Sequence, residues 1–165
     1  MATVGPLFEH APGFLYRLAV ARPFGSWVRM FERAREIAQA MPEPLQIELV
    51  DAHPRLGAPP ATVSAMSFRE QGYAAEAAAN LADEAARERD RVAAELDRLN
   101  NEYEARFGFR YCVFVAGRPL LALLPALRLA LSAERRSELE RALDAVVDIA
   151  IDRARASATP PDAER

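Results

Sequence analysis

From about Asp83 to Phe107 the apolar residues Val92, Leu96, Leu99, Tyr103 and Phe107 recur three or four residues apart. That spacing puts them on one stripe of an α-helix, and the opposite face is dense in Arg and Glu. So long an amphipathic helix must bury its stripe against other elements. Gly108 is placed to stop it as a C-terminal cap. The flanking sequence is cut into helix-length pieces by Pro and Gly. Pro12-Gly13 and Pro23-Phe24-Gly25 bracket a helix from Phe14 to Arg22. Ser26 can cap the next, in which Trp27, Phe31, Ala34, Ala38 and Met41 fall at helical spacing. Pro42 and Pro44 precede a short helix from Leu45 to Ala52, which ends at His53 because Pro54 disfavours helical geometry before it. Gly117-Arg118-Pro119 opens an apolar helix to about Leu131, and a last helix runs from Ser132 or Ala133 to about Arg155. Phe109 to Val115 is rich in aromatic and β-branched residues and reads as extended. The expected fold is all-α: a compact single-domain helical bundle over residues 1–155 with one short extended segment near 109–115. Residues 156–165, with Pro160-Pro161, are expected to be a disordered tail.

Composition narrows the chemistry. The chain has 165 residues, enough for a real core, with 51% apolar and 27% charged residues. A net charge of −3 gives no reason to expect nucleic acid as a partner. All 21 cations are arginine, so lysine-nucleophile and Schiff-base mechanisms are excluded. Cys112, the single cysteine, allows no intramolecular disulfide and no cysteine-based zinc site, and in its apolar run it reads as a buried, inert thiol. Two histidines far apart give no metal-ligand spacing, and no metal is expected. No signal peptide and no apolar stretch long enough to span a membrane is legible, so the expected location is the cytoplasm, away from membranes. There is no Gly-rich phosphate loop, serine elbow or nucleotide fingerprint.

The polar groups concentrate between Asp51 and Gly72. His53 falls at a helix C-terminus, where the helix dipole favours the imidazolium form and would suit a proton donor near neutral pH. A histidine that merely ends a helix is the competing reading. Ser67, Glu70 and Gln71 are three and four residues apart and share one side of a helical turn. The same Ser-x-x-Glu spacing is also a capping box, with Ser67 as N-cap. Leu139, Leu143, Val146 and Ala150 mark the buried stripe of the last helix, and Arg153 continues it in phase. A cation there needs a partner: a buried ion pair, or an anionic ligand matched to the guanidinium fork. A surface helix end or a snorkelling arginine would also explain it. The Tyr111–Val115 backbone needs hydrogen-bond partners, which loops, side chains or a ligand along its edge could supply. His10 reads as a packing or capping residue.

Together these segments resemble the 2-oxo-4-hydroxy-4-carboxy-5-ureidoimidazoline (OHCU) decarboxylase family. The resemblance begins at Leu7-Phe8-Glu9-His10-Ala11-Pro12 and continues through Ala21-Arg22-Pro23-Phe24 and Ala52-His53-Pro54. It takes in Ser67-Phe68-Arg69-Glu70-Gln71, then Leu99-Asn100, Tyr103 and Arg106-Phe107-Gly108-Phe109, and ends near Arg153. It implies an all-helical homodimer without a cofactor, acting on a small ureido-imidazoline carboxylate to give (S)-allantoin in urate degradation. It implies His53 as the catalytic acid–base residue and Glu70 as the group contacting the substrate hydroxyl. Pro54, Ser67, Gln71, the backbone of Tyr111, Cys112, Val113, Phe114 and Val115, and Arg153 would bind the substrate. Two places depart from the pattern. Arg55-Leu56-Gly57-Ala58 stands where the family usually has Asp-Leu-Ala-Gly, and Gly72-Tyr73-Ala74 replaces a run of small residues. Arg55 and Tyr73 keep two alternatives open: a paralogue of the same fold acting on another small carboxylate, and a non-enzymatic helical dimerisation module.

Overall fold

Prolines and a serine set the helix starts. The computed structural model describes residues 4–71 and 83–158. A 3-10 turn, η1 (Gly5–Phe8), leads into α1 (Pro12–Val20), with proline in the first turn of each. Proline is tolerated there because the first helical N–H groups have no intrahelical acceptor. Ser26 caps α2 (Trp27–Ala40), its Oγ accepting from the Arg29 amide at 3.2 Å. Next come α3 (Glu43–Asp51), η2 (Pro60–Thr62), α4 (Ala65–Glu70) and the long α5 (Asp83–Phe107). Gly108, at φ 79°, closes α5 in the left-handed conformation, and its amide donates to the Glu104 carbonyl at 2.9 Å.

The remaining helices differ from their expected bounds for local reasons. The apolar run after Gly117 begins as η3 (Leu120–Leu123) and becomes α-helical only over α6 (Leu124–Ala130), with Pro125 in its first turn. The last helix, α7 (Arg135–Ala158), continues three residues past Arg155. No breaker precedes Pro160, and the Ser157 hydroxyl donates to the Arg153 carbonyl at 2.8 Å. Residues 156–158 are therefore helix rather than tail, and 159–165 lie outside the described residues.

No strand is present among the described residues, and 109–115 is neither helix nor ladder. Side chains answer part of its backbone demand. The Arg118 guanidinium donates to the carbonyls of Phe114 at 2.6 Å and Val115 at 3.0 Å.

The chain falls into two compact units: Met1–His53 with Leu139–Arg165, and Pro54–Glu138. Apolar periodicity tells which residues are buried but not which of them share a core. In the first unit the buried rings of Phe8 and Phe14 lie 4.7 Å apart. Leu18, Ala34, Ala38, Leu49 and Val50 are buried with them, as is the α7 stripe of Leu143, Val146 and Ala150. Arg35 on α2 ties this stripe's helix down through Asp144 and Asp148, each at 2.7 Å. The second unit is built on the predicted α5 stripe: Leu96, Leu99, Tyr103 and Phe107 are all buried. The Tyr103 ring meets Phe107, Phe109 and Tyr111 at centroid distances of 4.6, 5.7 and 5.2 Å.

Candidate functional site

His53 follows the last turn of α3. Its amide donates to the Val50 carbonyl at 3.1 Å, and its Nδ1 lies 3.2 Å from the Leu49 carbonyl. A carbonyl oxygen only accepts, so Nδ1 carries the hydrogen and Nε2 is the basic nitrogen. The helix-end argument for an imidazolium is overturned. His53 is only 4% exposed, and burial, followed by the nearby Arg153 guanidinium, pushes its pKa down to about 4. Glu9 and the Leu49 carbonyl act in the opposite direction and do not compensate. At neutral pH the side chain is a neutral imidazole, equipped to take a proton before it gives one.

Arg153 is buried, as its phase on α7 predicts, and it is part of an ion pair. Nη2 donates to Glu9 Oε1 at 2.8 Å, with side-chain exposures of 2% and 13%. Nη1 donates to the carbonyls of Pro6 and Leu7, both at 3.2 Å. The buried cation is thus met by a carboxylate and by carbonyls of η1. His53, Arg153 and Glu9 form one electrostatic cluster within the first unit. Glu9 is the member that sequence reasoning missed. Its signal lay in the segment before Pro12, where attention fell on His10. The exposed His10 ring packs against Gly5, where an added Cβ would come within 3.2 Å.

In the second unit, Ser67 and Gln71 are both buried, at 2% and 7% exposure, and Glu70 is half-buried. The cap lies three residues earlier than expected. Ser64, not Ser67, caps α4: its Oγ accepts from the Ser67 amide at 3.2 Å and lies 3.2 Å from the Ser67 hydroxyl. Ser67 is therefore a residue of the first turn, with its side chain inside. Gln71 holds the turn that follows Pro54. Its Oε1 accepts from the Gly57 amide at 2.8 Å, and its Nε2 donates to the Arg55 carbonyl at 3.4 Å. From α5, Asn100 Nδ2 donates to the Leu56 carbonyl at 2.9 Å, and Asn100 is 2% exposed. Asn100 was legible in the sequence as part of a resembling segment but not as a loop anchor. Pro54 is half-buried, and Tyr111, Cys112 and Val115 are buried, with Val113 and Phe114 half-buried. Tyr73 lies outside the described residues.

Among the described residues no group of three or more His, Cys, Asp or Glu side chains could hold a metal ion, and no helix is long and apolar enough to cross a membrane. A groove of about 550 Å³ on the first unit, lined by Tyr16, Arg17, Val20, Ile37 and Met41 among others, contains none of the candidate residues.

The chain is thus helical, with a neutral, buried imidazole beside a buried guanidinium. It belongs to the OHCU decarboxylase family, whose model matches residues 1–155. The chain is 33% identical over 148 residues to the uric acid degradation bifunctional protein PucL of Bacillus subtilis, covering 90% of this chain but 28% of that protein. It thus spans under a third of that relative's length. It is 28% identical over 146 residues to the 2-oxo-4-hydroxy-4-carboxy-5-ureidoimidazoline decarboxylase of Haloferax volcanii, covering 88% of this chain and 81% of the relative. The fold matches a crystal structure of OHCU decarboxylase determined in the presence of (S)-allantoin, with a TM-score of 0.70 at 20% identity over 95% and 97% of the two chains. It also matches a crystal structure of (S)-allantoin synthase, with a TM-score of 0.63 at 18% identity over 94% of this chain and 48% of that one.

Proposed function

We propose that this chain is a cofactor-independent decarboxylase converting OHCU to (S)-allantoin in urate degradation, with His53 as its acid–base residue. Family membership and the names of the relatives support the substrate. One observation carries the residue assignment: His53 is a buried, neutral imidazole held by Leu49 beside Arg153. In this substrate the departing carboxylate lies next to a carbon of a C=N bond. The electron pair of the breaking C–C bond passes into the ring as CO₂ leaves. The substrate hydroxyl then gives up its proton as its carbon becomes a carbonyl. A proton must arrive on one face of the neighbouring carbon, and solvent supplies the one that balances the ring charge. Neutral His53 takes the hydroxyl proton on Nε2 and returns it to carbon. A positioned acid–base group of this kind contributes roughly 10²–10⁴ in rate. Glu70 contacts the hydroxyl, while Pro54, Ser67, Gln71, the Tyr111–Val115 backbone and Arg153 bind the rest of the substrate.

Given freshly made OHCU, the protein is expected to accelerate the appearance of optically active (S)-allantoin, followed by circular dichroism, and His53→Ala is expected to abolish the acceleration. Racemic product at the uncatalysed rate with the wild-type protein would refute the reading.

We also infer a homodimer. The family resemblance implies one, and the first unit exposes an apolar set on α1 and the start of α2: Tyr16 at 70%, Val20 at 68%, Trp27 at 52% and Val28 at 67%. Sedimentation equilibrium should return twice the chain mass of 18.2 kDa. A single-chain mass at micromolar concentration would exclude the dimer.

A further inference from the structure

We propose that Glu9 is a positioning residue: its carboxylate, carried on a left-handed corner, fixes the Arg153 guanidinium in the orientation in which it meets the substrate's carboxylate or ureido oxygens. The proposal rests on the functional reading above and adds a residue to it.

Three hydrogen bonds define the guanidinium's plane and rotation: Nη1 to the Pro6 and Leu7 carbonyls at 3.2 Å each, and Nη2 to Glu9 Oε1 at 2.8 Å. The two carbonyls engage Nη1, and Glu9 is the charged group that engages Nη2. A planar guanidinium that is to meet a planar anion has to be held in one plane and one rotation, and these bonds hold it so.

The backbone supports a purpose for Glu9 beyond making a turn. Glu9 and His10 follow η1 with φ values of 48° and 59°, two consecutive left-handed residues that carry a Cβ. Glycine is the default residue for that conformation. A turn required only to join η1 to α1 would be met by glycine, with no carboxylate on it. Here the strained position carries the group that reaches Arg153, and strained residues cluster where a side chain must be held in place. His53 lies in the same electrostatic cluster. The charged groups acting on it are Arg153 from α7 and Glu9 from the corner, and Asp51 closes α3 two residues before it. Glu9 therefore offsets part of the cation's effect on the imidazole as well as orienting the cation.

The test is a double-mutant cycle on kcat/KM for OHCU. Glu9→Ala is expected to lower kcat/KM by about 10–100-fold in the wild-type background, as a misplaced binding group does. It should have less than about a twofold effect in an Arg153→Ala background, because the residue acts through Arg153. An equal loss in both backgrounds, or wild-type kcat/KM in folded Glu9→Ala, overturns the proposal. If Glu9→Ala does not fold, Glu9→Gln, which keeps the shape and removes the charge, carries the same cycle with the same criterion. A second readout needs no substrate. Ring ¹⁵N shifts should show His53 titrating at lower pH in Glu9→Gln than in the wild type, because the carboxylate that favours the imidazolium is gone. An unchanged titration also overturns the proposal. Failure of the wild type to form (S)-allantoin removes the functional reading, whereas an active wild type indifferent to Glu9 removes only this one.

Discussion

Arg55 Nε donates to Glu104 Oε1 at 2.7 Å, Nη1 reaches Asp97 at 3.2 Å, and Nη2 donates to Asn101 Oδ1 at 2.7 Å. These partners recur along one face of α5, so the helix offers an acidic and amide stripe that matches a single guanidinium. The arginine that departs from the family's usual aspartate is explained by this stripe, without reference to a new substrate. Its side chain is 27% exposed and Asp97 is 67% exposed, which keeps the network modest: about 1 kcal/mol by analogy with exposed pairs. Arg55→Ala is therefore expected to lower the unfolding free energy by about 1 kcal/mol in urea melts while kcat/KM for OHCU stays within about threefold. A loss of a hundredfold or more in kcat/KM without unfolding would show that Arg55 selects the substrate after all.

At the scale of elements, local signals were legible and shared partners were not. Ser26 as a cap, Gly108 as a stop and the α5 stripe all follow from a few neighbouring residues, and each is present as read. Arg153 was marked as a buried cation by its phase on α7, yet its partner Glu9 lies 144 positions away, beyond the reach of periodicity. His53 was marked by its place at a helix end, and there the local argument failed in sign. The dipole of a nine-residue helix is a surface-scale effect, and burial of the ring together with an adjacent guanidinium outweighs it. The α4 cap was misplaced because two serines three apart, Ser64 and Ser67, both offer the right oxygen. The choice between them depends on where the preceding Pro-rich turn releases the chain. Gln71 and Asn100 also grip the backbone of the Arg55–Gly57 turn, contacts that no local spacing in the sequence announces.

For the whole molecule, the buried imidazole links the fold to pH. Between about pH 4 and 6.5 the unfolded chain protonates His53 and the folded chain does not. The unfolded state then binds more protons, so stability rises with pH across this window and falls as the solution is acidified through it. The contribution is fully present above 6.5, declines by up to about 1.4 kcal/mol per pH unit below it, and amounts to about 3 kcal/mol over the whole interval. Carboxylates that are paired in the folded chain also lower its stability on acidification, so the wild-type curve alone does not isolate the histidine. The comparison that does is His53→Asn, whose side-chain amide can still donate to the Leu49 carbonyl but takes up no proton. Urea unfolding of both proteins between about pH 8.5 and 4.5 should give a difference that is constant above about pH 7 and shifts against the wild type as the solution is acidified. A pH-independent difference would mean that His53 titrates alike in the folded and unfolded chains. In that case the neutral, buried imidazole on which the proposed proton transfer depends would not exist in solution.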